Sequence, residues 1–278
     1  MTMIMNTGIE DRVMTTQQKM VCLDVDGTLV DHYGHMSDAV KETARNIVAA
    51  GHEVIVSTGR SLGATLPIVQ LLGITSGYAV CSNGGLTVRI DTSLSVGYEV
   101  IDRQTFDPAP ALQALRSALP TAKYALESDQ GDFLATERFQ DASFGVQAKA
   151  VTFEEMMEAT AVRLVVFSSD NSSEEFVEAV QTIGLQGVAY SVGWTAWLDI
   201  AAEGITKASA IEALRGELGF DIQNTVAVGD GRNDIEMLGW AGRGVAMGQA
   251  PDEVKAAADE VTTTVDEDGL ARVLRSLL

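Results

Sequence analysis

The stretch Met20-Val21-Cys22-Leu23-Asp24-Val25-Asp26-Gly27-Thr28 decides the fold class of this chain. Its first four residues form an apolar run that ends at an acid, and this pattern predicts a short buried strand. Residues two apart in an extended segment point to the same side, so Asp24 and Asp26 are expected to converge on one ligand. The sequence therefore predicts a pair of carboxylates at the end of a strand.

Predicted helices and strands alternate along the chain beyond this stretch. Apolar residues at helical spacing predict a helix that Ser37 caps and that Gly51 ends. The later elements are the strand 54–56, a helix from Pro67 to Gly73, the strand 78–81, a helix from Lys207 to Leu218 and the strand 225–228. This order predicts an α/β fold with an open, mostly parallel, Rossmann-like sheet.

The middle of the chain has a different character from its two ends. Alternating strand patterns mix there with two amphipathic helices, 109–119 and 173–183, so this segment can bury a core of its own. The predicted domains are a discontinuous core (19–85 and 195–278), an inserted α+β cap (86–194) and a flexible leader (1–18). Tyr124 and Trp194 of the insertion, and Trp197 just after it, are interpreted as core residues, and Arg163 is interpreted as a solvated residue.

The charge of the chain restricts its partners. With 19 basic and 39 acidic residues the formal net charge is -20, which disfavours nucleic acid and anionic membranes. An anionic substrate would need a local cation or a metal ion. The two cysteines are expected to be reduced and structural. No secretory signal or apolar run of membrane-spanning length is visible, so a cytoplasmic location is expected.

Two further motifs offer groups that bind anions. Ser57-Thr58-Gly59-Arg60 follows a predicted strand and supplies a hydroxyl and backbone N–H groups, although a simple turn explains it equally well. Gly204-Ile205-Thr206-Lys207 places a lysine in the first turn of a helix, where the helix dipole disfavours a cation. This misfit favours a role for Lys207 in binding an anion, with a solvated lysine as the alternative.

A fourth motif, Gly229-Asp230-Gly231-Arg232-Asn233-Asp234, follows the strand 225–228 and adds two acids. Ligands of open α/β sheets bind at this edge, outside the carboxyl ends of the strands. Four carboxylates in one crevice without a cation would be strongly unfavourable. Their hard oxygen atoms suit Mg²⁺, so the sequence predicts a magnesium site.

The four motifs, in this order, resemble those of the haloacid dehalogenase (HAD) superfamily from about Met20 to the C-terminus. The large insertion after the second motif resembles the Cof-like branch, whose members carry a large α/β (C2-type) cap. Val245-Ala246-Met247-Gly248 also resembles that branch, whereas Gln249 stands where most relatives have Asn.

This resemblance implies a Mg²⁺-dependent hydrolysis of a small-molecule phosphate monoester, such as a sugar phosphate or a phosphorylated cofactor. Asp24 would form an aspartyl-phosphate, and Asp26 would protonate the leaving group and later activate water. The implied phosphate-binding residues are Gly27, Thr58, Gly59, Lys207 and Asn233. The implied metal ligands are a carboxylate oxygen of Asp24, the backbone carbonyl of Asp26, and the side chains of Asp230 and Asp234.

Three other functions are weighed against this one. A phosphomutase of the same superfamily would share the acids and the metal, and the sequence does not separate the two. A dinucleotide-binding protein would need a glycine-rich anion loop after the first strand, where this chain has two carboxylates. A catalytically silent metabolite-binding protein could lose Asp24 or Lys207 freely, yet both are present. The oligomeric state is not predicted.

Overall fold

The structure is a computed structural model that describes residues 18–136, 147–192 and 196–278. Its strands, in chain order, are β1 (Met20–Leu23), β2 (Glu53–Ser57), β3 (Ser76–Cys81), β4 (Leu86–Asp91), β5 (Tyr98–Arg103), β6 (Lys123–Ser128), β7 (Phe133–Ala135), β8 (Lys149–Ala150), β9 (Ala161–Phe167), β10 (Val188–Val192), β11 (Trp197–Ala202), β12 (Thr225–Gly229), β13 (Arg243–Ala246) and β14 (Glu260–Val261).

The helices are α1 (Asp38–Ala49), α2 (Leu62–Leu71), α3 (Ala109–Ala118), α4 (Phe153–Met157), α5 (Ser173–Ile183), α6 (Lys207–Leu218), α7 (Ile235–Trp240), α8 (Asp252–Ala257) and α9 (Gly269–Arg275). Short 3₁₀ turns at Ser82–Gly84 and Arg232–Asp234 lie close to the sites described below. In the part of the chain that the structure describes, no helix is long and apolar enough to cross a membrane.

The first sheet is the open α/β sheet that the sequence predicts. Within the described residues it contains eight strands in the order β14-β13-β12-β1-β2-β3-β4-β5. The strands from β14 to β3 pair in parallel, and β4 and β5 add an antiparallel edge. Residues of the central strand β1 alternate between two hydrophobic clusters, with Val21 and Leu23 in one and Met20 and Cys22 in the other. Both faces of the sheet are therefore covered, as parallel sheets require.

Local signals account for the helices that flank the site. Ser37 caps α1 by accepting a hydrogen bond from the Val40 N–H at 3.2 Å, as predicted. Helix α6 runs from Lys207 to Leu218 and ends at Gly219 with φ +72°, a left-handed conformation that glycine adopts without strain. The predicted start of α2 at Pro67 is wrong. The helix begins after Ser61 and contains Pro67, because Ser61 occupies the N-cap position.

The second sheet holds the inserted segment together. Its order among the described residues is β10-β11-β9-β6-β7-β8, with antiparallel pairing except between β7 and β8. Helices α3 and α5 cover one face, where Leu112, Leu115 and Phe176 join the same hydrophobic cluster as Leu164 and Val166. The insertion therefore has its own core.

The two sheets divide the chain at different points from the predicted domains. Strands β4 and β5 pair in the first sheet, although the prediction placed residues 86–194 in the insertion. Strand β11 pairs in the second sheet, although the prediction began the core again at 195. An alternating pattern indicates a strand with one exposed face but does not say which sheet accepts it. Most of the predicted leader, residues 1–17, lies outside the described residues.

The interpretation of Arg163 as a solvated residue is wrong. Its side chain is only 3% exposed, and its Nε donates to Asp199 Oδ1 at 2.6 Å. Tyr124 is buried as predicted, and Trp197 packs partly buried beside Phe133 and Val165. Trp194 lies outside the described residues.

Candidate active site

Three neighbouring strands bring the sequence motifs to one edge of the first sheet. The register pairs Leu23 with Val56 on one side and with Val228 on the other. Asp24 follows β1 directly, and its N–H donates to the Val228 carbonyl at 3.0 Å. Because the strands are parallel, the residues after their carboxyl ends lie together. The first, second and fourth motifs therefore meet here.

Lys207, from the third motif, lies at the centre of this edge. Its side chain is 0% exposed, and its Nζ donates to Asp24 Oδ1 at 2.6 Å and to Asp234 Oδ1 at 2.7 Å. Burial alone lowers the pKa of Lys207, but the charges of Asp234 and Asp24 outweigh burial and raise that pKa above its ordinary value. The lysine is therefore a fixed cation, which explains its place in the first turn of α6.

Asp24, Asp230 and Asp234 form a buried carboxylate cluster. One oxygen from each lies within 4.8 Å of the others. Burial and then the charge of Asp234 raise the pKa of Asp24 well above its ordinary value. Burial and the charge of Asp234 likewise raise the pKa of Asp230 to about 7. Three carboxylates share one lysine, so the cluster has an excess of negative charge that a divalent cation would neutralise.

The residues around this cluster fit Mg²⁺. The three side chains supply only oxygen donors, which hard divalent cations prefer. Gly27, with φ +79°, lets the first motif approach the cluster, since a Cβ at this position would lie 2.1 Å from Asp230 Oδ2. Asp234 is oriented by its other oxygen, which accepts hydrogen bonds from the N–H groups of Asp230 at 3.0 Å and Gly231 at 2.9 Å.

The carboxylate of Asp26 is not one of the three in this cluster. Its carboxylate accepts two hydrogen bonds from the guanidinium of Arg60. Strand β1 ends at Leu23, and the chain then turns so that the Leu29 and Val30 N–H groups both donate to the Val25 carbonyl at 2.9 Å. The two-residue alternation of a strand therefore stops before Asp26.

The predicted phosphate-binding residues differ in their surroundings. Thr58 is buried, and its Oγ1 accepts a hydrogen bond from the Arg60 N–H at 3.1 Å. The Gly27 N–H donates to the Val30 carbonyl at 2.8 Å within the turn. Its role in this structure is the close approach to Asp230.

Two residues that the sequence did not select belong to the site. Asn83, with φ +54°, accepts a hydrogen bond at its Oδ1 from Asn233 Nδ2 at 2.9 Å. Its position just after β3, at the same sheet edge, was a signal that could have identified it. Gln249 Nε2 donates to the Gly27 carbonyl at 2.6 Å and to Asp230 Oδ2 at 3.1 Å. Gln249, which stands where most relatives have Asn, therefore still makes a supporting contact to the cluster.

A family model described as haloacid dehalogenase-like hydrolase matches residues 21–274. The chain belongs to the haloacid dehalogenase-like hydrolases. The predicted superfamily is thereby confirmed. The solved structures and the named relatives that follow confirm the predicted fold class and the predicted enzyme class, a phosphoric monoester hydrolase.

Named relatives of this HAD hydrolase are phosphatases. The phosphatase YwpJ of Bacillus subtilis (strain 168) is 27% identical over 295 residues, covering 94% of this chain and 100% of the relative. The pyridoxal phosphate phosphatase YbhA of Escherichia coli (strain K12) is 27% identical over 282 residues, covering 95% and 100%. A solved sugar phosphatase of HAD subclass IIB superposes with a TM-score of 0.78 at 26% identity, covering 94% and 100%. These names favour hydrolysis over a phosphomutase or a silent binding protein.

A cavity of the HAD hydrolase opens beside Lys207, between the two sheets. Its lining includes Tyr190 and Ser191 of β10, Asn83, and Arg232 and Asn233 of the fourth motif. Both the core and the insertion contribute to it. The inserted segment therefore forms part of the wall that a bound molecule would meet.

Proposed function

We propose that this HAD hydrolase removes phosphate from a small phosphorylated metabolite, using Mg²⁺ and an aspartyl-phosphate on Asp24. The observation that carries this proposal is the buried Asp24 carboxylate, which Lys207 holds at 2.6 Å beside Asp230 and Asp234. A carboxylate so placed, next to a fixed cation and a metal-binding cluster, is suited to attack phosphorus.

The reaction has two steps. In the first, an oxygen of Asp24 forms a bond to phosphorus while the bond from phosphorus to the leaving oxygen breaks, and Asp26 gives a proton to that oxygen. In the second, water attacks phosphorus, Asp26 takes a proton from the water, and the bond to Asp24 breaks. General acid and base catalysis of this kind contributes roughly 10²- to 10⁴-fold to the rate.

The phosphoryl oxygens need positive charge and hydrogen-bond donors in fixed positions. We assign Lys207 Nζ, the Thr58 hydroxyl, the Gly59 N–H and the Asn233 amide to this task, with Asn83 orienting Asn233 through the 2.9 Å bond. Mg²⁺, when bound by Asp24, Asp230, Asp234 and the backbone carbonyl of Asp26, supplies charge that stabilises the transferring phosphoryl group.

The cavity supports a small substrate with polar groups. The lining includes the polar residues Asn83, Tyr190, Ser191 and Glu236, and residues of this kind can hydrogen-bond to a sugar or a polar cofactor. The sugar phosphatase and the pyridoxal phosphate phosphatase named above act on such molecules. We therefore expect sugar phosphates or phosphorylated cofactors to be substrates of this chain.

A panel assay tests the proposed function. Phosphate release is measured with hexose 6-phosphates, pyridoxal 5′-phosphate and a phosphoserine peptide, each with Mg²⁺ and with EDTA. We expect release from one or more of the small compounds with Mg²⁺, little from the peptide, and none with EDTA. Undiminished release in EDTA would contradict the metal requirement, and no release from any compound would contradict the function.

Asp230→Asn tests the carboxylate cluster as a metal site. Without a divalent cation the variant is expected to melt about 2–4 °C higher than wild type, since one of three repelling carboxylates becomes neutral. Mg²⁺ at about 100 times its Kd should stabilise wild type by about 2.7 kcal/mol and the variant much less. Calorimetry with and without Mg²⁺ measures both effects. An equal Mg²⁺ shift in the two proteins would place the metal elsewhere.

A further inference from the structure

The pair formed by Arg60 and Asp26 has an unusual geometry for a surface ion pair. Arg60 Nε donates to Asp26 Oδ2 at 2.9 Å and Nη2 donates to Oδ1 at 2.5 Å, so the guanidinium holds both carboxylate oxygens. The Asp26 side chain is 62% exposed, whereas that of Arg60 is only 14% exposed. A mostly buried cation therefore holds a mostly solvated carboxylate.

The backbone of Arg60 is anchored on both sides. Its N–H donates to Thr58 Oγ1 at 3.1 Å, and its carbonyl accepts a hydrogen bond from the Ser82 N–H at 2.8 Å. Thr58 follows β2 and Ser82 follows β3, so Arg60 is tied to the same sheet edge as the carboxylate cluster. The backbone of Arg60 is thus fixed, and its mostly buried side chain extends from this anchor to Asp26.

Stability alone does not account for this arrangement, because water screens an ion pair whose carboxylate is 62% exposed. Orientation does account for it. A bidentate guanidinium–carboxylate pair fixes both the direction and the plane of the carboxylate, which a single hydrogen bond or a lysine cannot do. Asp26, which follows the end of β1, needs such a constraint because its side chain lies outside the packed core.

We propose that Arg60 is the positioning residue of Asp26, an inference that rests on the proposed function. For the first step one Asp26 oxygen leaves its guanidinium partner and takes up a proton from solvent, and this neutral acid then gives that proton to the leaving oxygen as the bond from phosphorus to that oxygen breaks. The other guanidinium bond keeps the carboxyl group aimed at that oxygen. Arg60 therefore assists only when the leaving group requires a proton.

The test compares two leaving groups. A hexose 6-phosphate leaves as an alkoxide and needs a proton, whereas p-nitrophenyl phosphate leaves as a stable anion and does not. The measured quantity is kcat/KM, which covers the steps up to phosphoryl transfer onto Asp24. Arg60→Ala is expected to lower kcat/KM about 100-fold for the hexose phosphate and no more than about 3-fold for p-nitrophenyl phosphate.

Three variants sharpen this comparison. Asp26→Asn should show the same preference for p-nitrophenyl phosphate, and adding Arg60→Ala to it should cause no further loss, since both act through one carboxylate. Arg60→Lys should recover only part of the activity on hexose phosphate. The matched control is Arg215→Ala, which removes a similar bidentate pair, with Glu212, at 2.7 Å on α6 and should leave both substrates unchanged.

The outcomes separate this inference from the proposed function. Equal losses of Arg60→Ala on both substrates, or losses that add to those of Asp26→Asn, would overturn the positioning role alone. Unchanged kcat/KM for the hexose phosphate would also overturn it. A wild-type protein that releases no phosphate from either compound would overturn the proposed function as well.

Discussion

Lys207→Met is expected to cause the largest loss of stability of any single substitution at the site. It removes the cation that lies 2.6 Å from Asp24 and 2.7 Å from Asp234, both of them buried carboxylates. Removal of one partner from a buried ion pair typically costs about 3–5 kcal/mol, because the remaining charge has neither water nor a counterion. Phosphate release should also fall below detection, since Lys207 is the proposed phosphoryl ligand.

Urea unfolding at neutral pH in EDTA measures the stability loss in Lys207→Met. Addition of Mg²⁺ should restore part of it, because the cation replaces positive charge beside the same carboxylates. Lys149→Met, at an exposed position of β8, serves as the control and should change the free energy of unfolding by less than about 0.5 kcal/mol. If Lys207→Met were as stable as wild type, strong repulsion among the buried carboxylates of the cluster would be contradicted.

Asp24→Asn is expected to cause the largest loss of activity. An amide oxygen is a poor nucleophile, so phosphate release should fall on the order of 10⁴-fold or more. The protein should remain folded, because the substitution removes one of three mutually repelling carboxylates and keeps the shape of the side chain. Loss of activity without loss of stability is the expected signature of a nucleophile.

Two measurements check the nucleophile. Steady-state phosphate release gives the rate, and rapid quenching with radiolabelled substrate detects phosphate attached to the protein in wild type but not in Asp24→Asn. Asp38→Asn, an exposed acid in the first turn of α1, is the control and should keep both the rate and the label. Unchanged turnover in Asp24→Asn would refute the aspartyl-phosphate mechanism.

Secondary structure was predictable where its signals are local. The predicted bounds of α6 and the Ser37 cap of α1 are confirmed, because a capping side chain and a terminal glycine act within a few residues of the helix end. The predicted start of α2 is wrong because Pro67 is a possible initiating residue, whereas Ser61 holds the N-cap position. Proline is tolerated at a helix start, so the signal was ambiguous.

The distribution of strands between sheets was not predictable in the same way. Strands β4 and β11 have patterns that suit either sheet, and the pairing partner decides which sheet each one joins. Arg163 is a similar case. A lone arginine in a strand is interpreted as solvated. Here Asp199 on the neighbouring strand β11 forms an ion pair with Arg163, and this pairing offsets the cost of burying its charge.

The sequence by itself determined the α/β sheet, the family and the edge at which Asp24, Thr58 and Asp230 collect. Apolar runs, caps and the placement of polar residues after strands are sufficient for this, since parallel strands end at one edge. Only the tertiary structure decided which cation each acid of the first motif meets. Asp24 pairs with Lys207 across 183 positions and Asp26 pairs with Arg60 across 34. Such contacts depend on where the turn after β1 directs each side chain, and spacing along the chain does not encode that direction.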